Sequence, residues 1–249
     1  MQLPSLTSDL SLDALLAQSP LQARLEDAGE IPQWLGRALA DVWYGFHQQL
    51  CNTPIVQAIE STQITVEEYQ AYLLNMREQV SQGGRWISQA AASMENSHVL
   101  LRSALIRHAA EEHQDFLMLE KDFLRTGGDE QRLNNGLLNI GSQALSAFIF
   151  HEASKPNPVG IFGATFIIEG LGSHKAAGWS SAIQASLDIG KEATSFLYYH
   201  GVADEDHYEN LIKILTSPFM TAEAAIETRR IAKVVGRLYA LQLAEINNY

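Results

Sequence analysis

The chain has 249 residues, 46% of them hydrophobic, and a formal net charge of −12. That length holds one large domain with a real core or two small ones, and the acidic balance argues against nonspecific attraction to nucleic acid or to an anionic membrane surface. No apolar run approaches the roughly 20 residues of a membrane span, residues 1–5 lack the basic and apolar regions of a secretory signal, and the single cysteine, Cys51, can form no internal disulfide, which fits a reducing cytoplasm.

Taken in order, residues 1–9 read as a loose arm. Asp9 or Ser11 is placed to cap a short helix over 12–17, and Pro20 takes the first position of another. Ile31-Pro32 opens a longer segment in which Trp34, Leu35, Leu39, Val42, Trp43 and Phe46 recur at helical spacing. Pro54 interrupts or kinks it, and the pattern resumes through Ile55, Val56 and Ile59. Thr65 with Glu68 forms a capping box that begins a helix through Tyr69, Tyr72, Leu73, Met76 and Val80. Gly83-Gly84 within this pattern marks close helix packing or a kink. Ser97 is the expected cap of a helix running to about 126, ended by Gly127-Gly128-Asp129. Residues 130–150 read as one helix, Lys155-Pro156-Asn157-Pro158 as a loop and 160–177 as an apolar helix. Leu187-Asp188-Ile189-Gly190 is a turn, a helix begins near Glu192, Ser217-Pro218 breaks the chain, and a last helix covers 221–246. There is no period-2 alternation, no βαβ rhythm, no repeat and no linker composition. The prediction is one all-α domain over 1–249 with seven or eight main helices.

The richest stretch for chemistry runs from His200 to His207. At about 100° per residue, Asp204 leaves a helix about 40° to one side of His200 and His207 about 20° to the other, so the three share one face. Glu205 and Asp206 point elsewhere. Two imidazoles and a carboxylate suit a first-row metal, iron first, with manganese or zinc behind it. Two other stretches offer the remaining ligands. On a helix, His108, Glu111 and Asp115 fall within about a 60° arc, with Glu111 and Asp115 one turn apart. Glu112, three residues before Asp115, is an alternative acid, and His113 leaves from a different side. Glu169 is the only ionisable group in the apolar run 160–172. A carboxylate buried there must be protonated, ion-paired or metal-bound. His200, Asp204, His207, Glu169, Glu111 and Asp115 together make a carboxylate-bridged di-iron inventory. No Glu-x-x-His is duplicated, so this is not an ordinary ferritin-like bundle.

The order of an acidic Glu111-Glu112 helix, a lone Glu169 in a glycine-rich apolar helix and His200-x-x-x-Asp204-x-x-His207 resembles the haem-oxygenase-like di-iron oxidases. That group includes the CADD-like proteins and is related to the TenA thiaminases and to pyrroloquinoline-quinone biosynthesis protein C (PqqC). Phe46-His47-Gln48-Gln49-Leu50, Pro54 and Ile64-Thr65-Val66-Glu67-Glu68-Tyr69 also look alike, so the resemblance spans roughly residues 40–215 and is most specific at 200–207. It implies a haem-oxygenase-like helical bundle with His200, Asp204 and His207 as C-terminal ligands, Glu169 as the carboxylate before them and Glu111 as the first acid of its helix. Asp115 stands where the family usually has His. His108 or His113 would compensate, and the second metal position is expected to be weak. The tyrosine and lysine that CADD uses in self-sacrificing p-aminobenzoate synthesis fall at Ile55 and about Trp179, which argues against that reaction here.

His47 is placed like a proximal haem ligand, with Gly136 and Gly141 for a glycine-rich distal helix, but a lone helical His is more often packed or solvated. Cys51 lies elsewhere in the chain than the TenA thiol and reads as a core residue. Glu78 is a further ligand, a proton carrier or a solvated surface acid. The function these observations support is a non-haem iron oxidase or oxygenase that holds one or two Fe ions and uses dioxygen on a small polar organic substrate. Glu169 would bridge or bind terminally, with His200 and His207 capping the metals. The alternative is a fold relative with an incomplete site, acting as a small-molecule or protein binding module. Metal-free catalysis of the PqqC kind needs basic residues facing a pocket, and none stands out. The resemblance implies a homodimer; neither nucleic acid nor membrane is an expected partner.

Overall fold

A computed structural model of the chain describes residues 3–4, 28–136 and 138–248, with the side chains of 202–206 and 208 outside the described set. The helices expected over 12–17 and from Pro20 lie outside the described residues, as does the expected loose arm apart from Leu3 and Pro4. The Pro4 carbonyl accepts a 2.8 Å hydrogen bond from Trp34 Nε1. Among the described residues there are twelve α-helices and no strand. The all-α reading holds. The count exceeds seven or eight because several expected helices are divided by turns.

Helix α1 (Glu30–Cys51) buries Leu35, Leu39, Val42, Phe46 and Leu50 along one stripe. It stops before Pro54, which takes the first position of α2 (Pro54–Glu60), where its missing N–H is not needed. The expected capping box opens α3 (Val66–Val80): Glu68 N–H donates to Thr65 Oγ1 at 3.2 Å, and Thr65 N–H donates to Glu68 Oε2 at 2.9 Å. The chain turns before Gly83-Gly84, and α4 (Gly83–Ala92) starts there. A Cβ on Gly84 would lie 2.8 Å from the His113 Cα. The glycine pair therefore marks both a break and a close helix crossing.

Three expected helix boundaries are corrected. Ser97 does not cap the next helix. It lies in a 3₁₀ turn (Asn96–His98), and His98 precedes α5 (Val99–Glu112). The helix expected to continue to 126 is divided by a turn at 113–115, after which α6 (Phe116–Arg125) begins. The helix expected over 130–150 is also two, α7 (Glu130–Asn134) and α8 (Ile140–Ala153). The reason is local. Asn139 Oδ1 accepts from Ser142 N–H at 2.8 Å and so starts a new helix. Its Nδ2 donates to the Gln242 carbonyl at 2.9 Å.

Helix α9 (Phe162–Leu171) passes through a π turn (Gly172–Ala176) into α10 (Ala177–Leu187), which ends at Asp188 with φ 52°. Helix α11 (Ser195–Leu215) follows a 3₁₀ turn (Lys191–Thr194). Helix α12 (Ala222–Ala244) is capped by the Thr221 side chain. It packs against α1, α8 and α9, with Ala225, Ile231, Ala232, Val235, Tyr239 and Leu243 buried. Each fully buried Ile, Leu or Val side chain of this kind contributes about 1.5–3 kcal/mol. Helix α4 lies on α5, α3 on α6, and α11 on α9, the π turn and α10. Among the described residues, no helix is long and apolar enough to cross a membrane.

Candidate metal centre

Helices α5, α9 and α11 and the turn after α5 converge on one polar cluster. His108 and Glu112 are one turn apart on α5 and share a face. Glu169 comes from α9, buried among apolar neighbours. His200 and His207 lie two turns apart on α11, about 10 Å along the axis, too far to meet one ion.

The turn at 113–115 decides which acids meet. Asp115 N–H donates to the Glu112 carbonyl at 3.3 Å, Leu117 N–H to Gln114 at 2.9 Å and Met118 N–H to Asp115 at 3.0 Å. These are i→i+3 bonds, and in such a turn residues i and i+3 eclipse. Asp115 therefore stacks over Glu112, whereas an unbroken α-helix would have paired it with Glu111. Ligand atoms of His108, Glu112, Glu169 and His207 all lie within 4.8 Å of one another, and so do those of Glu112, Asp115 and His200. Glu112 belongs to both groups.

The distances are close. His108 Nε2 lies 3.0 Å from Glu169 Oε1, and His207 Nδ1 lies 3.2 Å from Glu169 Oε2, so each carboxylate oxygen faces a different ring. His200 Nε2 lies 3.2 Å from Asp115 Oδ2. His207 Nδ1 is also 3.5 Å from Glu112 Oε1. Glu111 stands on the far side: its Oε2 is 3.4 Å from His207 Nε2, and its side chain is 57% exposed. It is outside both groups.

Burial pushes the Glu112 carboxyl up to about 7, with the Glu169 carboxylate adding to the effect. Burial also acts to raise Glu169, but His108 and His207 outweigh it and hold this group well below the ordinary carboxylate range. Burial acts to lower His108; the Glu169 carboxylate beside it more than offsets this, so the imidazole is raised. The cluster is thus a set of carboxylates and imidazoles balanced against each other.

Two further devices position α11. Asp122 of α6, fully buried, accepts from Ser195 Oγ at 2.6 Å and from Phe196 N–H at 2.9 Å, acting as a cap supplied by another helix. One residue past His200, Gly201 faces the start of α10. A Cβ there would lie 2.8 Å from both Ala177 N and Ala177 Cβ, so only glycine permits this approach.

Of the residues expected from sequence, the structure brings together Asp115, Glu169, His200 and His207, and places Glu111 beyond His207. Asp204 is on α11, but its side chain lies outside the described residues. The two alternatives, Glu112 and His108, are in the cluster; His113 turns away and its Nδ1 is 2.8 Å from the Ala110 carbonyl. His47 and Cys51 approach each other, Sγ to Nδ1 3.7 Å, away from the centre. Glu78 pairs with Arg77, Gly136 lies beside Glu78, and Gly141 packs on Gln242. Gln79, unremarked in the sequence, is buried on the wall of a cavity that reaches the centre.

Two cavities flank the cluster. One, of about 730 Å³ to its open mouth, is bounded by His108, Glu112, Glu169 and His200 at its polar end. The other, of about 750 Å³, lies on the opposite side against Arg107, Glu111, Thr165, His207 and Lys213.

No protein-family model and no curated protein matches the chain. Solved structures do. A domain of unknown function with a haem oxygenase-like fold from Shewanella denitrificans OS217 superimposes with a TM-score of 0.78 at 19% identity, over 84% of this chain and 89% of that one. A TenA homologue from Pseudomonas syringae pv. tomato DC3000 gives 0.67 at 14% identity, over 89% and 97%. A TenA homologue from Pyrococcus furiosus gives 0.64 at 13%, over 85% and 99%. At these identities the likeness is one of fold, and the fold is haem oxygenase-like.

Proposed function

We propose that this chain is a non-haem iron oxidase or oxygenase, with His108, Glu112, Glu169 and His207 holding one ion and Glu112, Asp115 and His200 a second. The observation that carries this reading is the position of Glu112, whose carboxylate belongs to both ligand groups. A carboxylate shared between two ligand sets is the arrangement a two-ion centre needs. The donor set also fits: His108 Nε2 is buried and 3.0 Å from a Glu169 oxygen, yet is not aligned with it as a hydrogen bond, a buried polar atom that an ion would partner.

Iron bound here would carry electrons from an organic molecule to dioxygen, the one being oxidised as the other is reduced. The chain's own contributions are positional and protic. Glu169 holds the His108 and His207 rings apart, one oxygen to each. His200 and His207 set the two ends of the centre. Glu112, whose carboxyl burial pushes up to about 7 in the metal-free fold, would give up its proton as it takes an ion. Glu111 fixes the orientation of His207 from outside, in the manner of carboxylates that orient metal-bound imidazoles.

Anaerobic titration of Fe(II) followed by exposure to dioxygen tests this. The protein should bind iron, lose most of it in His200→Ala plus His207→Ala, and oxidise it faster than buffer does. Iron that binds but oxidises no faster than free Fe(II) favours the binding-module reading. Equal iron affinity in wild type and the double variant removes the centre altogether.

A further inference from the structure

The cavity on the Glu112 side is apolar along nearly its whole wall. Tyr72, Met76, Trp86, Ile87, Trp179 and Leu197 are representative of its lining, and Gln79 with the Tyr72 and Tyr239 hydroxyls adds polar groups outside the cluster. Its described lining contains no lysine or arginine. Two of the groups that close its end, Glu112 and Glu169, are carboxylates. An anion, or the acid end of a zwitterion, would lose its hydration here beside the Glu112 and Glu169 carboxyl groups, with no lysine or arginine in the described lining to replace it. A hydrocarbon or aromatic group loses nothing on leaving water and gains contact with the aromatic walls.

We infer that this cavity binds a neutral, largely hydrocarbon or aromatic molecule, with one end against Glu112 and His200. The inference rests on the metal centre above for its catalytic meaning, but not for the binding itself. It replaces the polar substrate expected from sequence with an apolar one. The residues that give this result are spread over α3, α4, α9, the π turn, α10, α11 and α12, where each reads as ordinary core.

Gly83 offers a way to fill the cavity. It lies on the wall, and a Cβ built there meets nothing within 4 Å, so a larger side chain enters open space. The test uses metal-free full-length protein and three probes of equal chain length: 1-octanol, octanoate and octylammonium. Calorimetry should show 1-octanol binding at least about tenfold more tightly than octanoate and no more weakly than octylammonium, a difference of about 1.4 kcal/mol per factor of ten. Gly83→Leu should weaken octanol binding by a factor of about five or more while keeping the far-ultraviolet spectrum; if that variant does not fold, Leu197→Trp serves the same purpose. Octanoate or octylammonium binding more tightly than octanol would overturn the inference. So would octanol binding unchanged by a folded cavity-filling variant, or its failure to bind wild type. His207 does not line this cavity. His207→Ala should therefore bind iron more weakly yet keep octanol, which separates failure of the cavity from failure of the centre.

Discussion

Glu111 and His207 meet on the outer side of the cluster, with Glu111 Oε2 3.4 Å from His207 Nε2 while Nδ1 of the same ring points inward at Glu169. The ring thus has one nitrogen for the centre and one for an exposed carboxylate. That assigns Glu111 an orienting role, although regular helical spacing makes it a ligand. Glu111→Gln and Glu111→Ala should keep the number of ions bound and weaken iron binding by about ten- to a hundredfold, the usual effect of removing such a partner. Calorimetric titration reads both quantities. Loss of a whole equivalent of iron would make Glu111 a ligand after all.

The two groups predict a pattern among single variants. Asp115→Ala and His200→Ala should each remove one ion, and His108→Ala and His207→Ala should weaken the other. Glu112→Ala should disturb both. Asp115 supplies oxygen where an imidazole would bind a divalent ion more tightly, so the Asp115–His200 position should be the weaker of the two and Asp115→His should tighten it. Iron counts and affinities that are the same in wild type, Asp115→Ala and Asp115→His would make Asp115 a bystander.

The pH dependence follows from Glu112. Its carboxyl titrates near 7 in the metal-free fold, against an ordinary value of 4.5. A raised carboxyl contributes stability below about 4.5 that is lost as pH rises through about 7. The metal-free protein should therefore lose part of its melting temperature over that window, and Glu112→Gln should lose less. Metal binding has the opposite slope, because the ion must displace the Glu112 proton. Iron affinity should rise with pH up to about 7 and then flatten with respect to this group. An affinity that is flat from pH 5.5 to 7.5 would contradict the assignment; those limits simply bracket, roughly, the Glu112 value.

Asp122 carries the start of α11. Asp122→Ala leaves the Phe196 N–H and the Ser195 hydroxyl buried without their acceptor, at a cost of about 2–3 kcal/mol. Urea denaturation should show that loss, with part of it recovered in Asp122→Asn. Because His200 is little more than one turn further on, iron affinity at its position should fall as well. A variant as stable as wild type would mean that the cap is dispensable.

The family resemblance carries an expectation of a homodimer. Light scattering at micromolar concentration should give twice the monomer mass; a monomer would reject it. Val99, Leu100 and Ile106 on α5 are large apolar residues left exposed, and Ile106→Glu is the first variant to examine if a dimer is found.

The architecture was largely legible because its signals are local. Thr65 with Glu68, Pro54 and the apolar stripe of α1 each announce a helix boundary or a buried face within one or two turns. Glu169 was legible for a different reason: a single acid in an apolar helix has few ways to be stable. The choice between Glu111 and Glu112 was not legible. It depends on the tightening of the chain at His113, Gln114 and Asp115, where there is no glycine or proline to signal it, and where the backbone follows the packing of α4 against α5 through Gly84. Nor could the sequence choose between His108 and His113, because the choice appears only once Glu169 is set opposite His108.

The π turn at Gly172–Ala176 has a consequence for reckoning between relatives. A π turn holds an extra residue against the regular helix. Glu169 and Trp179 lie on either side of it, and both face the same cavity. A relative that runs through this stretch as an uninterrupted α-helix reaches the same two places with one residue fewer. Ungapped pairing of the two chains would then match Glu169 correctly and slip every position of α10 by one, turning wall residues into solvent-facing ones on paper while the molecules themselves agree.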